Sequence, residues 1–134
     1  MGNLSITATD VAAVEIIEQF TGPASEAITA GQYVRFNTST GKIEPGNGSS
    51  SGERGYQAGI ALRSAAAGVS LTVLRKGIVD LGNALGDLDY DAPVYLSDTD
   101  GTLATSTGSV ERIVGYVTPI WVHTTADKAL RVDL

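Results

Sequence analysis

Along most of the chain apolar and polar residues alternate with a period of two, the pattern of strands buried on one face. The stretch VAAVEIIEQF (11–20) sets Val14, Ile16, Glu18 and Phe20 against Glu15, Ile17 and Gln19. Asp10 would suit the cap of a short helix there, but the Val and Ile content favours a strand. QYVRF (32–36) puts Tyr33 and Arg35 on one face, with the core side undecided between them and Val34 and Phe36. NTSTGKI (37–43) predicts a tight hairpin in which Gly41 supplies a positive φ. YQAGIALRS (56–64) and VSLTVLRKGIVDL (69–81) follow, separated by AAAG. In the second, Leu71, Val73 and Arg75 oppose Thr72, Leu74 and Lys76, and Gly77 interrupts the alternation as a bulge or corner would. PVYLS (93–97), GTLATS (101–106), ERIVGYVTPIWVH (111–123) and KALRVDL (128–134) complete the set.

The segments between carry turn chemistry. TGPASEAITAG (21–31) is a connector bent at Gly22-Pro23 and Gly31, and PGNGSSSGERG (45–55) is a Gly/Ser loop expected to be mobile or held only by a neighbour. Short strands separated by turns, with no alternation of strands and helices, predict an all-β fold, a small β-barrel or β-sandwich. The expected division is an extended N-terminal arm over residues 1–10, disordered unless something binds it, and one β domain over residues 11–134.

Composition narrows the function classes. The chain has 134 residues, enough for one core without staples. It has no cysteine, which excludes disulfide scaffolds, thiolate metal sites and cysteine nucleophiles. The net charge is −6 and the nine basic residues are scattered apart from Arg75-Lys76. Phosphate backbones need a concentrated basic face, so nucleic-acid binding is not expected. No apolar run approaches the roughly 20 residues that span a bilayer, and MGNLSITATD lacks the basic and apolar regions of a signal peptide.

The stretch LGDLDYDAPVYLSDTDG (85–101) concentrates five aspartates, Asp87, Asp89, Asp91, Asp98 and Asp100. The first three have the spacing that opens a calcium-binding EF-hand loop, which then needs Gly at the sixth position and Glu at the twelfth. Those positions hold Ala92 and Asp98. The aspartates divide instead into a turn before the strand PVYLS and a turn after it, about 17 Å apart at roughly 3.3 Å per residue. They read as side chains holding their own backbone, not as a metal site. His123, the one histidine, has no nucleophile motif near it and reads as a rim or interface residue. Asp80, Asp87 and Glu111 are the carboxylates a hydrolase would draw on, but their spacing shows no pocket. The glycines at 46, 48 and 52 match neither a dinucleotide fingerprint nor a phosphate loop, and Gly41-Lys42 is followed by Ile43 where a phosphate loop requires Ser or Thr. Trp121 would anchor a core, an interface or a sugar.

The succession QFTGPASEAITAGQYVRFNTSTGKI, GIALRSAAAGVSLTVLRKGIVDLGNAL, DAPVYLSDTDGTLA and RIVGYV resembles small tailed-phage structural proteins of the head-decoration, or capsid cement, type, over about residues 19–134. The resemblance implies a protein without an active site, with no catalytic residue, cofactor or metal, and with no nucleic acid or membrane as partner. It implies a place on the exterior of the virion capsid, after synthesis in the host cytoplasm. There such proteins, commonly homotrimers, bridge neighbouring major capsid protein subunits and resist the outward pressure of packaged DNA. On that reading the arm residues Leu4, Ser5, Ile6 and Thr7 contact the capsid, with Leu4 and Ile6 as apolar anchors. Ile120, Trp121 and Val122 are candidates for self-association. The alternatives are another virion β-module of tail or fibre, a carbohydrate- or cell-surface-binding module that requires an exposed Trp121, and a small hydrolase with two acids in a concave pocket.

Overall fold

The computed structural model describes residues 2–122 and 125–134, with positions 122, 125 and 126 described by their backbone alone. His123 therefore lies outside the described residues. Among the described residues nine strands are formed: β1 (Val11–Pro23), β2 (Tyr33–Phe36), β3 (Ile43–Pro45), β4 (Ala58–Ala61), β5 (Ser70–Leu81), β6 (Pro93–Leu96), β7 (Leu103–Ala104), β8 (Ile113–Val122) and β9 (Thr125–Asp133). A 3₁₀ turn at Ala8–Asp10 and a four-residue helix α1 (Ser51–Arg54) are the helical elements among the described residues. The expected all-β fold is observed as one curled antiparallel sheet, half of a barrel, in the order β3-β2-β4-β5-β9-β8-β6-β7.

β5 is the spine. One edge carries β1 from Val11↔Leu81 to Pro23↔Ser70. The opposite edge takes β4 at Val73 and Leu74, then β9 from Lys76 to Val79. A single register row therefore crosses five strands, through Ile16, Gly77, Val132, Gly115 and Val94. Glycine is required at two places in it. A Cβ at Gly77 would strike the carbonyl of Glu15, and one at Gly115 would strike the carbonyl of Arg131. This close approach of backbones lets the sheet coil tightly around its core. The corner expected at Gly77 is present, with φ at +142°.

Burial on both faces explains why several strands do not alternate cleanly. The concave side holds Tyr33, Ile60, Leu74, Leu81, Leu85, Leu96, Leu103, Val117 and Leu130. A second cluster, Ala24, Ile28, Val34, Ile43, Ala61, Leu71 and Val73, is closed by Phe20 and Phe36, whose ring centres are 4.9 Å apart. Tyr33 and Val34 thus point to opposite faces and are both fully buried. The β2–β3 hairpin forms as expected. Asn37 Oδ1 accepts from the Ser39 and Thr40 amides at 2.9 and 3.0 Å, and Gly41 turns at φ +70°.

Two segments differ from the sequence reading, and a third, the Gly/Ser loop, takes the second of its two expected forms, held by its neighbours. β1 continues through Gly22-Pro23, because Pro23 sits at the strand's end opposite Ser70 and needs no ladder hydrogen there. β9 begins at Thr125, not Lys128, because β8 supplies a partner that far. The Gly/Ser loop is anchored, with Gly46, Asn47 and Gly48 buried. The Gly48 amide donates to Ser97 O at 2.8 Å, and Gly48 O accepts from the Val110 amide at 2.7 Å. Ser50 caps α1 through the Glu53 amide. Arg35, almost wholly buried, then clamps α1 to β2: its Nε donates to Glu53 O at 2.8 Å, and its guanidinium pairs with Glu44 at 2.8 Å and Glu53 at 3.0 Å.

Candidate interaction surface

β1 is thirteen residues long and almost none of it is buried. Its sequence forces this. Pairing steps from Ala13↔Val79 to Glu15↔Ile78 and from Ile16↔Gly77 to Glu18↔Lys76, so Val14 and Ile17 have no partner of their own on β5. Such bulges break the alternation of faces. As a result Val14, Ile16 and Ile17 are 50, 49 and 64 % exposed on one short stretch. Among the described residues, β5 is the one strand that β1 pairs with. The bulges, with Glu15 exposed and Glu18 held by Arg75 at 2.9 Å, protect the far edge from indiscriminate strand pairing. What β1 offers a partner is apolar side chains. The sequence signal for this was the consecutive pair Ile16-Ile17, which puts apolar groups on both faces of a strand that cannot bury both.

The second exposed feature is the β8–β9 ribbon. Its pairs run from Gly115↔Val132 to Val122↔Thr125, while the core ends at Val117 and Leu130. Beyond them Pro119 and Trp121 continue the core-facing side into solvent, and Trp121 is 67 % exposed. Ile120, on the other face, is half-buried. The side chain of Val122 is not described. Lys128 braces the base of the projection by donating to the carbonyls of Gly86 and Leu88, with its ammonium 5.4 Å from the centre of the Tyr90 ring. Of the readings open for Trp121, a core position is therefore excluded by its exposure.

The arm residues are seated on the body. Leu4 and Ile6 are half-buried against the main core, and Ser5 and Thr7 are exposed. The Leu4 amide donates to Leu103 O at 2.8 Å, and Ser97 Oγ donates to Asn3 Oδ1 at 2.8 Å. The expected disorder of residues 1–10 is thus not found over residues 2–10, because the β7 edge provides backbone partners for the segment.

The aspartates separate as the strand PVYLS required. Asp91 sits in the turn before β6 with φ at +68°, and its amide donates to Val117 O at 2.7 Å. After β6, Asp98 accepts from the Ser109 hydroxyl at 2.6 Å and the Ser109 amide at 2.8 Å. Those two hydrogen bonds hold its carboxyl below the ordinary aspartate range, the hydroxyl bond contributing most. Asp100 accepts from the side-chain amide of Asn47, which ties the second turn to the Gly/Ser loop. Among the described residues no three His, Asp or Glu side chains come together in a way that would hold a metal ion. Tyr33 donates to Arg54 O at 2.7 Å inside the fold. Burial raises its phenol above the ordinary range, against the opposing pull of Arg112, Arg54 and Arg35.

Nothing among the curated proteins matches the chain. A sequence model for phage cement proteins, which stabilise capsids as components of the virion, does match it, over residues 19–129. That span runs from the end of β1 to the middle of β9 and includes every other strand of the sheet's main path in full, and the chain belongs to the phage cement protein family.

Proposed function

We propose that this protein binds the outer surface of the expanded phage head at junctions between major capsid protein subunits and stabilises the head against the pressure of packaged DNA. The observation that carries this reading is the apolar stretch of β1, with Val14, Ile16 and Ile17 about half or more exposed on a strand that the fold holds rigidly. A surface of that kind favours a partner, and the net charge of −6 suits the outside of a DNA-filled shell. A part bound across several subunits stabilises the assembled state by its preferential affinity for that state, and a homotrimer would add avidity. Residues 1–10 act as an arm on a body of residues 11–134. Ser5 and Thr7 are its outward contacts, while Leu4 and Ile6 keep it seated. Trp121 and Ile120 are the self-association residues, with Val122 beside them.

The test is co-sedimentation with expanded and unexpanded heads. Binding to expanded heads alone supports the reading, and binding to neither refutes it. The exposure of Trp121 favours a second reading, a carbohydrate- or cell-surface-binding module, since such a site needs an accessible aromatic face. Glycan binding lost in Trp121→Ala would establish that reading in place of the first.

A further inference from the structure

Residues 2–6 form a strap along the outer edge of β7. The Leu4 amide donates to Leu103 O at 2.8 Å and the Thr105 amide to Gly2 O at 2.9 Å, which makes Asn3 and Ala104 a facing pair with no hydrogen bond between them. Backbone bonds supply attachment, and the seats of Leu4 and Ile6 supply selectivity. This is how an added strand is recognised at a sheet edge.

Three observations set the strap apart from the body it lies on. It borders an open cleft of about 310 Å³ lined by Leu4, Ile6, Gly31, Gln32 and Leu103, so part of its length lacks packing partners. The turn Ala8–Asp10 that leads from it into β1 contains no buried residue and has no side-chain cap, the character of a hinge. The family match begins at residue 19, so the strap lies outside the matched body. A segment held by a few backbone bonds, the hydrogen bonds of the Asn3 side chain with Ser97 and Thr99, and two half-buried side chains opens at the low end of a protein's local stabilities. Opening bares the edge at Leu103–Thr105 beside an apolar seat, which favours refilling by a strand of the same pattern.

We infer that this seat is a docking site for the strap of a second copy of the chain, so that neighbouring copies exchange residues 2–6 between their β7 edges. The occupant fits because the exchanged and self-docked states make the same contacts and differ in the path through Thr7–Asp10. The exchange gains whatever the copies bury along β1, into which that hinge leads directly. The inference goes beyond capsid binding and is tested without heads.

The absence of cysteine makes the test clean. Chains carrying Asn3→Cys and Ala104→Cys, with tags of different size, are mixed, oxidised and separated under non-reducing conditions. A facing pair at a non-hydrogen-bonded antiparallel position has the spacing a disulfide needs. Exchange predicts a mixed disulfide that increases with protein concentration and exceeds that formed by Asn3→Cys with Lys42→Cys, on the exposed β2–β3 turn. A chain carrying both Asn3→Cys and Ala104→Cys reports whether the seat is intact by closing the bond internally. Internal closure with no mixed disulfide above the control overturns the inference. Should Ala104→Cys fail to fold, the neighbouring Gly2→Cys and Thr105→Cys replace the pair and are read the same way.

Discussion

Replacing Gly77 by alanine tests whether β1 is held to the spine by a contact that tolerates no side chain. Two effects add. The backbone at Gly77 has φ +142°, which costs an L-residue about 1 kcal/mol or more. The new Cβ also overlaps the carbonyl of Glu15. Relieving that overlap moves β1 away over the stretch between its two bulges and breaks two or three ladder bonds, at about 1 kcal/mol each. The expected loss is therefore about 3–4 kcal/mol, or roughly 10 °C in Tm for a chain of this length. Gly41→Ala is the matched control, with φ +70° and nothing within 4 Å of the added carbon, so it loses only the conformational term of about 1 kcal/mol. Urea unfolding with a common slope measures both losses. Amide exchange in Gly77→Ala should accelerate first at residues 15–19. If Gly77→Ala costs no more than Gly41→Ala, the close approach of β1 and β5 is not what requires glycine there, and the account of the register row fails.

Trp121→Ala should leave stability within about 0.5 kcal/mol, as for an exposed residue outside the core, yet reduce occupancy of expanded heads; unchanged occupancy removes the ribbon tip from the contact. Ile17→Ser should behave likewise, with the same co-sedimentation as readout. Asp98, whose carboxyl is held low by Ser109, favours the folded state above the unfolded pKa of about 4 and loses that contribution as pH falls through its lower folded value. Ser109→Ala, which removes the hydroxyl donor and keeps the backbone amide, should move the Asp98 titration midpoint part of the way up toward the ordinary aspartate value, and a midpoint that does not move would discount the hydroxyl bond. Tyr33, raised by burial, contributes stability that is complete below the unfolded pKa of about 10 and is lost as pH rises through the folded value. Ultraviolet titration should find one phenol ionising after the others, and Tyr33→Phe should remove that late step.

Much of the sheet was legible because its strands carry their own punctuation. Gly41 announced the β2–β3 hairpin, Gly77 announced the corner, and Asp91 and Asp98 bounded β6 as turn residues do. The segments less fully legible are those whose order comes from distant partners. The loop at 45–55 has no apolar residue to bury, and it is fixed by hydrogen bonds to Ser97, Val110 and Asp100 and by the Arg35 clamp. The strap has only Leu4 and Ile6 as local signal, and its seat is built from residues near 30 and 103. For β1 the period of two was visible, but the bulges at Val14 and Ile17 depend on its register with β5, and they decide which side chains meet solvent.

The attachment of β1 also fixes how the molecule bears load. Eleven register pairs join it to β5 side by side, with the strands antiparallel along their length. A pull along β1 is a shear that strains many hydrogen bonds at once, whereas a pull on the tip of the β8–β9 ribbon across its strands opens pairs one after another, from Val122↔Thr125 inward. The same sheet is therefore stiff at Ile16 and Ile17 and yielding at Trp121. A partner held by both would feel a rigid anchor at one end and a compliant tether at the other.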